Sequence, residues 1–224
     1  MDRCAGGLRH RRDGIDNIIF LAADVTYDLN GTNTAGVKML DGHLGLYHTP
    51  IIADVDGDGR PAILMSAGYN YLDVIDIDSS GAGSTLWRVE TTPGDLFGRR
   101  SAVADVDGDG VLELATLSDA GQLTCRNAAT GAVRWSFKIP GSGLAANVIA
   151  VDIDGDGHIE YVVATEDGTV FAIDGRTNAS KRVKWSLTIG RRLADIIAAD
   201  VDGDNRSELL VTAEDGFLYV IDNE

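Results

Sequence analysis

Four short loops of this sequence repeat one pattern of acidic residues. Each loop places carboxylates at its first, third and fifth positions, and three of the four add a glutamate at the ninth position. Such spacing in a tight loop brings several carboxylates to one point, and an all-oxygen ligand set favours Ca²⁺ over a transition metal. The predicted ligands are Asp54, Asp56 and Asp58; Asp105, Asp107, Asp109 and Glu113; Asp152, Asp154, Asp156 and Glu160; and Asp200, Asp202, Asp204 and Glu208.

The sixth position of each loop must allow a sharp bend. Gly59, Gly110 and Gly157 occupy it in three loops, and Asn205, which also tolerates the left-handed conformation, occupies it in the fourth. The first loop has Ala62 at the ninth position in place of an acid. We therefore expect three to four bound Ca²⁺ ions, with the first loop binding most weakly.

The overall charge fits this interpretation. The loop ligands contribute 15 negative charges, and the formal net charge of the 224-residue chain is −16. Packing carboxylates together without a cation is repulsive, whereas four Ca²⁺ ions would bring the net charge to about −8.

An acidic chain also argues against a nucleic acid or an anionic membrane as partner. The longest apolar run of the chain is far shorter than the roughly 20 residues that span a bilayer.

Two other interpretations of the loops compete with a calcium site in a propeller blade. An EF-hand requires a glutamate at position 12 and flanking helices, but these loops have Met65, Thr116, Val163 and Val211 at that position and apolar strand-like flanks. A set of solvated Asp-Gly turns without metal remains an alternative, most of all for the first loop.

The elements that position these loops form a repeat. The first aspartates are 51, 47 and 48 residues apart, and the units begin near residues 51, 102, 149 and 197. Each unit contains four β-like runs: one before the Asp loop, one after it, one after a Gly turn, and one that carries a tryptophan. Four strands in about 48 residues is typical of a β-propeller blade. The prediction is an all-β propeller over residues 17–224, preceded by an N-terminal tail over residues 1–16.

The recurring tryptophans Trp87, Trp135 and Trp185 are expected to pack between blades, although an aromatic binding platform is an alternative. Cys4 and Cys125 do not make a disulfide framework, and we expect no bond between them.

The motif Ala-Asp-Val-Asp-Gly-Asp-Gly followed by Glu113, with Phe97-Gly98 ahead of it, resembles the FG-GAP and VCBS repeats of integrin-like proteins. The segment from Gly121 to Trp135 is also similar to the repeats of quinoprotein-like propellers. The integrin-like resemblance implies that the Asp loops join the first two strands of each blade and bind Ca²⁺ on one face. It also implies a relation to bacterial surface proteins and to the propellers of some polysaccharide lyases.

The connections between blades would then lie on the face opposite the Asp loops. They vary in sequence, and variable loops on a repeated scaffold are where binding usually occurs. A protein or carbohydrate partner, such as an acidic sugar, is therefore expected to contact His43, Tyr47, His48, Arg99, Arg100, Arg191 and Arg192.

The function expected from these features is a calcium-stabilised binding or adhesion module, extracellular or at the cell surface. The alternatives are part of a carbohydrate-active enzyme such as a rhamnogalacturonan-type lyase, and a structural spacer of a surface protein. The first residues show no signal peptide.

The last expectation concerns blade closure. The fourth unit ends after its third strand, whereas the N-terminal region contains a strand over residues 18–22 and another over residues 37–40. We expect the 37–40 strand to pair with the strand at residues 217–221, either within one chain, between two chains of a homodimer, or within a longer protein.

Overall fold

The computed structural model describes residues 8–9, 16–19, 26–27, 33–35, 50–67, 71–78, 83–90, 97–141, 145–176, 179 and 181–222. Over these residues all regular elements are β-strands, each sheet is antiparallel, and no helix is present. The predicted all-β class is therefore confirmed. None of the described residues forms a helix long and apolar enough to cross a membrane.

The chain divides into two compact units, one comprising Met1–Pro93 with Ala129–Gly131 and the other Gly94–Ala128 with Ala132–Glu224. The first unit contains an N-terminal sheet in the order β1-β2-β3-β4. Its strands are β1 (Leu8–Arg9), β2 (Asp16–Ile19), β3 (Thr26–Tyr27) and β4 (Asn33–Ala35). Strand β1 lies within the stretch assigned to the tail. The expected strand over residues 37–40 lies outside the described residues.

The first unit also contains the first blade, in the order β5-β6-β7-β8. Its strands are β5 (Ile51–Ala53), β6 (Ala62–Ala67), β7 (Tyr71–Ile77) and β8 (Gly83–Glu90). The first Asp loop joins β5 to β6, so the loop comes between the first two strands of the blade.

The second unit contains three further sheets built in the same way. The second blade consists of β9 (Phe97–Ala104), β10 (Glu113–Ser118), β11 (Gln122–Asn127) and β12 (Val133–Lys138). The third consists of β13 (Ala145–Val151), β14 (Glu160–Thr165), β15 (Thr169–Asp174) and β16 (Val183–Thr188). The fourth has β17 (Leu193–Ala199), β18 (Glu208–Ala213) and β19 (Leu218–Ile221), and its sheet ends at β19 within the described residues.

The core of the second unit lies on the second strand of each blade. All six residues of β10 and all six of β14 are buried, because these strands have apolar neighbours on both faces of their sheets. Two apolar clusters result, one built from the second and third blades and the other from the third and fourth. This layered packing keeps the Asp loops at the ends of rigid strands.

The packing of Trp135 between blades is confirmed. This second-blade side chain is buried, its ring centroid lies 6.0 Å from that of Tyr161 in the third blade, and its indole Nε1 donates to the carbonyl oxygen of Gly175 at 2.9 Å. The Arg182 guanidinium stacks 4.1 Å from the centre of the same ring.

Candidate metal centre

The first aspartate of each Asp loop fixes the loop backbone. In the fourth loop, Asp200 Oδ1 accepts from the amide of Gly203 at 2.7 Å, and Oδ2 accepts from the amide of Asn205 at 3.1 Å. The other three loops have the equivalent bonds, from Gly57 and Gly59 to Asp54, from Gly108 and Gly110 to Asp105, and from Gly155 and Gly157 to Asp152. The local sequence alone therefore specifies the fold of each loop.

The sixth loop position adopts the predicted backbone conformation. Gly59 has a φ of 80°, and Asn205 in the fourth loop has a φ of 70°. An asparagine tolerates this left-handed conformation better than other side chains with a Cβ, so the expectation for Asn205 is confirmed.

The ninth-position glutamates are the first residues of the second strands and are buried. Each accepts a hydrogen bond at Oε2 from a loop amide: Glu113 from Val106, Glu160 from Ile153, and Glu208 from Val201, at 3.1, 3.2 and 2.7 Å. Burial raises the pKa of Glu113 and Glu160 above the ordinary range, although the loop amides oppose this shift. These carboxylates therefore gain from a nearby cation.

Each loop brings three of its predicted ligands together. The groups are Asp54, Asp56 and Asp58; Asp105, Asp107 and Glu113; Asp152, Asp154 and Glu160; and Asp200, Asp202 and Glu208. Within each group, one ligand oxygen per residue lies within 4.8 Å of the others. Oxygens on opposite sides of one Ca²⁺ are separated by about 5 Å, twice the Ca–O distance, so the donor atoms and their spacing fit this ion.

The fifth-position aspartates of the last three loops, Asp109, Asp156 and Asp204, fall outside these groups. Their Oδ1 atoms accept from the amides two residues further along the chain, at distances from 2.7 to 2.9 Å. Hydrogen bonds from Lys184 and the His158 amide lower the pKa of Asp156. These aspartates close the loop and add negative charge beside each group.

Two basic residues that the sequence reasoning missed lie on the second and third groups. Arg134 contacts Asp107, Asp109 and Glu113 at 3.0, 3.3 and 2.9 Å. Its contact with Glu113 is an ion pair only, and Glu113 Oε1 receives no hydrogen bond. Arg134 directly precedes the repeated Trp135, and this position in the sequence could have revealed it.

Lys184 occupies the same position in the third blade. Its Nζ lies 2.6 Å from Asp154 Oδ2 and 2.9 Å from both Asp156 Oδ2 and Glu160 Oε1. Partial burial lowers the pKa of Lys184, but hydrogen bonds to the three carboxylates outweigh burial and raise it overall. The ammonium group is therefore charged whenever the carboxylates are.

The structure describes the side chains of only two of the expected partner-binding residues. Arg192 forms ion pairs with Glu166 and Glu214 at 2.7 and 3.1 Å, and Arg191 lies 3.7 Å from Asp215. These acids belong to the Gly turns, at the blade ends opposite the Asp loops. His43, Tyr47 and His48 lie outside the described residues, and Arg99 and Arg100 are described only as part of β9.

Three solved structures with a similar fold are distant in sequence. The N-terminal part of BBS1, in complex with ARL6DN, has a TM-score of 0.58 at 14% identity, covering 83% of this chain and 59% of its own. The PilY1 C-terminal domain of Pseudomonas aeruginosa has a TM-score of 0.64 at 12% identity, covering 88% and 52%. Rhamnogalacturonan lyase PL11 of Bacillus licheniformis has a TM-score of 0.55 at 18% identity, covering 78% and 42%.

These likenesses establish the fold, which is the predicted β-propeller type. The chain spans between 42% and 59% of the length of these three structures. A comparison with curated protein sequences finds no match.

The family comparison corrects the resemblance to integrin-like proteins. The sequence model that matches is described as outer membrane protein assembly factor BamB, a PQQ-type repeat, and it covers residues 73–223. The prediction of an FG-GAP or VCBS repeat is therefore wrong. The Asp loop is a short local motif, whereas the match extends from strand β7 of the first blade to strand β19 of the fourth and includes Trp87, Trp135 and Trp185. The chain belongs to the PQQ-type β-propeller repeat family described as outer membrane protein assembly factor BamB.

Proposed function

We propose that this protein is a calcium-stabilised β-propeller module that binds a protein or carbohydrate partner outside the cytoplasm. The observation that carries the proposal is the recurrence, in four loops, of three carboxylates whose oxygens lie within 4.8 Å of one another. The loops share one backbone geometry and an all-oxygen donor set, which favours a hard divalent cation. A calcium-stabilised module suits an extracellular setting, where calcium is abundant.

The metal would have a structural role. The carboxylates Asp200, Asp202 and Glu208 would hold it in the fourth loop, and Glu208 would link the ion to the first residue of a buried strand. When bound, the ion would neutralise the clustered carboxylates and so stabilise the connection between the first two strands. The chain's own residues fix the site in advance, because Asp200 and Glu208 already accept hydrogen bonds from loop amides.

The blade ends opposite the Asp loops would contact the partner. The family description as an assembly factor supports a protein partner, as does the BBS1 structure, which was solved in complex with ARL6DN. Arg191 and Arg192 lie at these ends and are exposed, but their ion pairs with Glu166, Glu214 and Asp215 must be exchanged for new ones on binding. Exchange of exposed ion pairs costs little.

The metal role can be tested by thermal unfolding in Ca²⁺, in Mg²⁺ and in chelator. A ligand that binds only the folded state at 100 times its Kd adds about 2.7 kcal/mol per site, so Ca²⁺ should raise the melting temperature. Glu208→Gln, which retains an oxygen that can accept from Val201, should reduce the rise. The matched control is Glu214→Gln, the same change at an exposed position of the same blade. An equal melting temperature in Ca²⁺ and chelator would refute the calcium role.

The partner can be sought with glycan and protein arrays, each probed in Ca²⁺ and in chelator. Calcium-dependent capture without turnover would support a binding module. Release of unsaturated products from rhamnogalacturonan would instead identify a lyase, the enzyme class of one structural neighbour. Failure to bind on either array would favour a structural spacer.

A further inference from the structure

The outer strands of the first three blades share one register. Trp87 pairs with Val74, Trp135 with Cys125 and Trp185 with Ala172, and a register shift follows each of these pairs. The residue before the tryptophan is therefore equivalent in the three blades. It is Leu86 in the first, Arg134 in the second and Lys184 in the third.

This position lies over the Asp loop of its own blade. Lys184 is only 19% exposed, and its ammonium group contacts Asp154, Asp156 and the buried Glu160 within 2.9 Å. Two of these residues, Asp154 and Glu160, belong to the proposed metal-ligand group of the loop. The ammonium group therefore contacts the same carboxylate oxygens that would coordinate a metal ion.

Among the described residues, the acidic group of the fourth blade has no such cation beside it. Its sheet ends at β19, and no Lys or Arg of residues 181–222 or of the other described parts forms an ion pair with Asp200, Asp202 or Glu208. In the first blade the equivalent residue is Leu86, which cannot neutralise the loop, and Arg60 pairs there with one loop aspartate, Asp58, and with Asp76 of β7 at 3.8 Å. The four similar loops therefore differ in their internal charge balance.

We infer that Lys184 and Arg134 are resident cations that neutralise the third and second Asp loops and oppose the binding of a metal ion there. The second part of this inference rests on the proposed calcium role. A Ca²⁺ ion entering the third loop must displace the Lys184 ammonium or accept its repulsion at close range, and either lowers affinity.

The decisive variant is Lys184→Met, which keeps the aliphatic stem and removes the charge. The matched control is Lys181→Met, which removes the same charge three residues away at an exposed position. Calcium binding is measured by isothermal titration calorimetry, and thermal unfolding is measured in chelator and in saturating Ca²⁺. Lys184→Met should lower the Kd of one calcium site about tenfold, or add one ion to the binding stoichiometry. In chelator the melting temperature of Lys184→Met should be lower than that of Lys181→Met. In saturating Ca²⁺ it should be higher.

The outcomes separate the two proposals. If the wild-type protein binds calcium and Lys184→Met leaves both the isotherm and the chelator melting temperature equal to those of Lys181→Met, the resident-cation inference is overturned. If Lys184→Met melts lower in chelator and equally low in Ca²⁺, its role is structural packing and the inference also fails. If the wild-type protein binds no calcium, the proposed function fails. The inference is then judged by the chelator melt alone, and a melting temperature equal to that of Lys181→Met rejects it.

Discussion

Asn147 Nδ2 donates a 2.6 Å hydrogen bond to Asp195 Oδ1, and these two residues occupy equivalent positions in consecutive blades. Each also accepts the amide of its own next residue, Val148 or Ile196, at 2.8 Å. A second bond runs from Asn147 to the carbonyl oxygen of Ile196 at 3.2 Å. The first strands of the third and fourth blades are therefore joined by a buried polar link as well as by apolar packing.

Loss of this link should be costly. Asn147→Leu keeps the volume but leaves the Val148 amide without its acceptor and the Ile196 carbonyl without its donor, so we expect a loss of about 1–3 kcal/mol. Asp195→Asn is the control, because its side-chain oxygen can still accept from Asn147 and Ile196. Denaturant unfolding measures both variants. Similar stabilities for the two would show that the link contributes little.

The tryptophan hydrogen bond can be isolated by a matched pair of substitutions. Trp135 Nε1 donates to Gly175, whereas Trp185 Nε1 is buried without a hydrogen-bond partner. Trp135→Phe should therefore cost about 1 kcal/mol more than Trp185→Phe, because only the first removes a hydrogen bond. Equilibrium unfolding in urea gives the two values, and equal losses would contradict the assignment.

Adding the missing ninth-position acid to the first loop should lower the stability of the metal-free protein and raise the affinity of the loop for Ca²⁺. Ala62 is buried and pairs with Ala53, as Glu113 pairs with Ala104 in the second blade. Ala62→Glu should lower the melting temperature in chelator, because a buried carboxylate without a cation is unfavourable. In Ca²⁺ it should recover and bind more tightly than the wild-type loop.

The control for this substitution is Ala62→Gln, which has nearly the same size and no charge. It should lose stability in both conditions, since its amide is a weaker calcium ligand. Recovery of Ala62→Gln in Ca²⁺ to the same degree as Ala62→Glu would argue against carboxylate ligation at this position.

Cys125 should be unreactive in the folded protein. It is a buried free thiol, and desolvation raises its pKa to about 12, an effect that the nearby Tyr161 hydroxyl only partly opposes. An unfolded thiol ionises near pH 8.5. Between these values the folded state retains a proton that the unfolded state loses, so this residue lowers stability as the pH rises above about 8.5.

The measurement is iodoacetamide labelling at pH 8.5 in a Cys4→Ser background, which leaves one thiol. We expect labelling of Cys125 only after unfolding by denaturant. The free energy of unfolding should fall more steeply between pH 8.5 and 10 than in Cys125→Ala. Rapid labelling of the native protein would show that the thiol is accessible.

The chemistry of each Asp loop was predictable from sequence because it depends on residues within nine positions of one another. Asp200 binds the amides of Gly203 and Asn205 through local geometry, so the spacing itself specifies the bend. The strand order was also predictable, since each blade joins neighbours in the chain through short turns. The family was misjudged because the resemblance rested on the short Asp loop, whereas the family match extends over residues 73–223.

The sequence by itself determined an all-β chain of repeated blades with clustered carboxylates at equivalent loops. Only the tertiary structure decided how those carboxylates are neutralised. Lys184 reaches Glu160 across 24 residues of sequence and one intervening strand, β15, and it lies at the register shift between β15 and β16. Such a contact depends on how far each strand has twisted and slipped against its neighbour. Charge counting along the chain cannot reveal it, because an ion pair requires proximity in space and not in sequence.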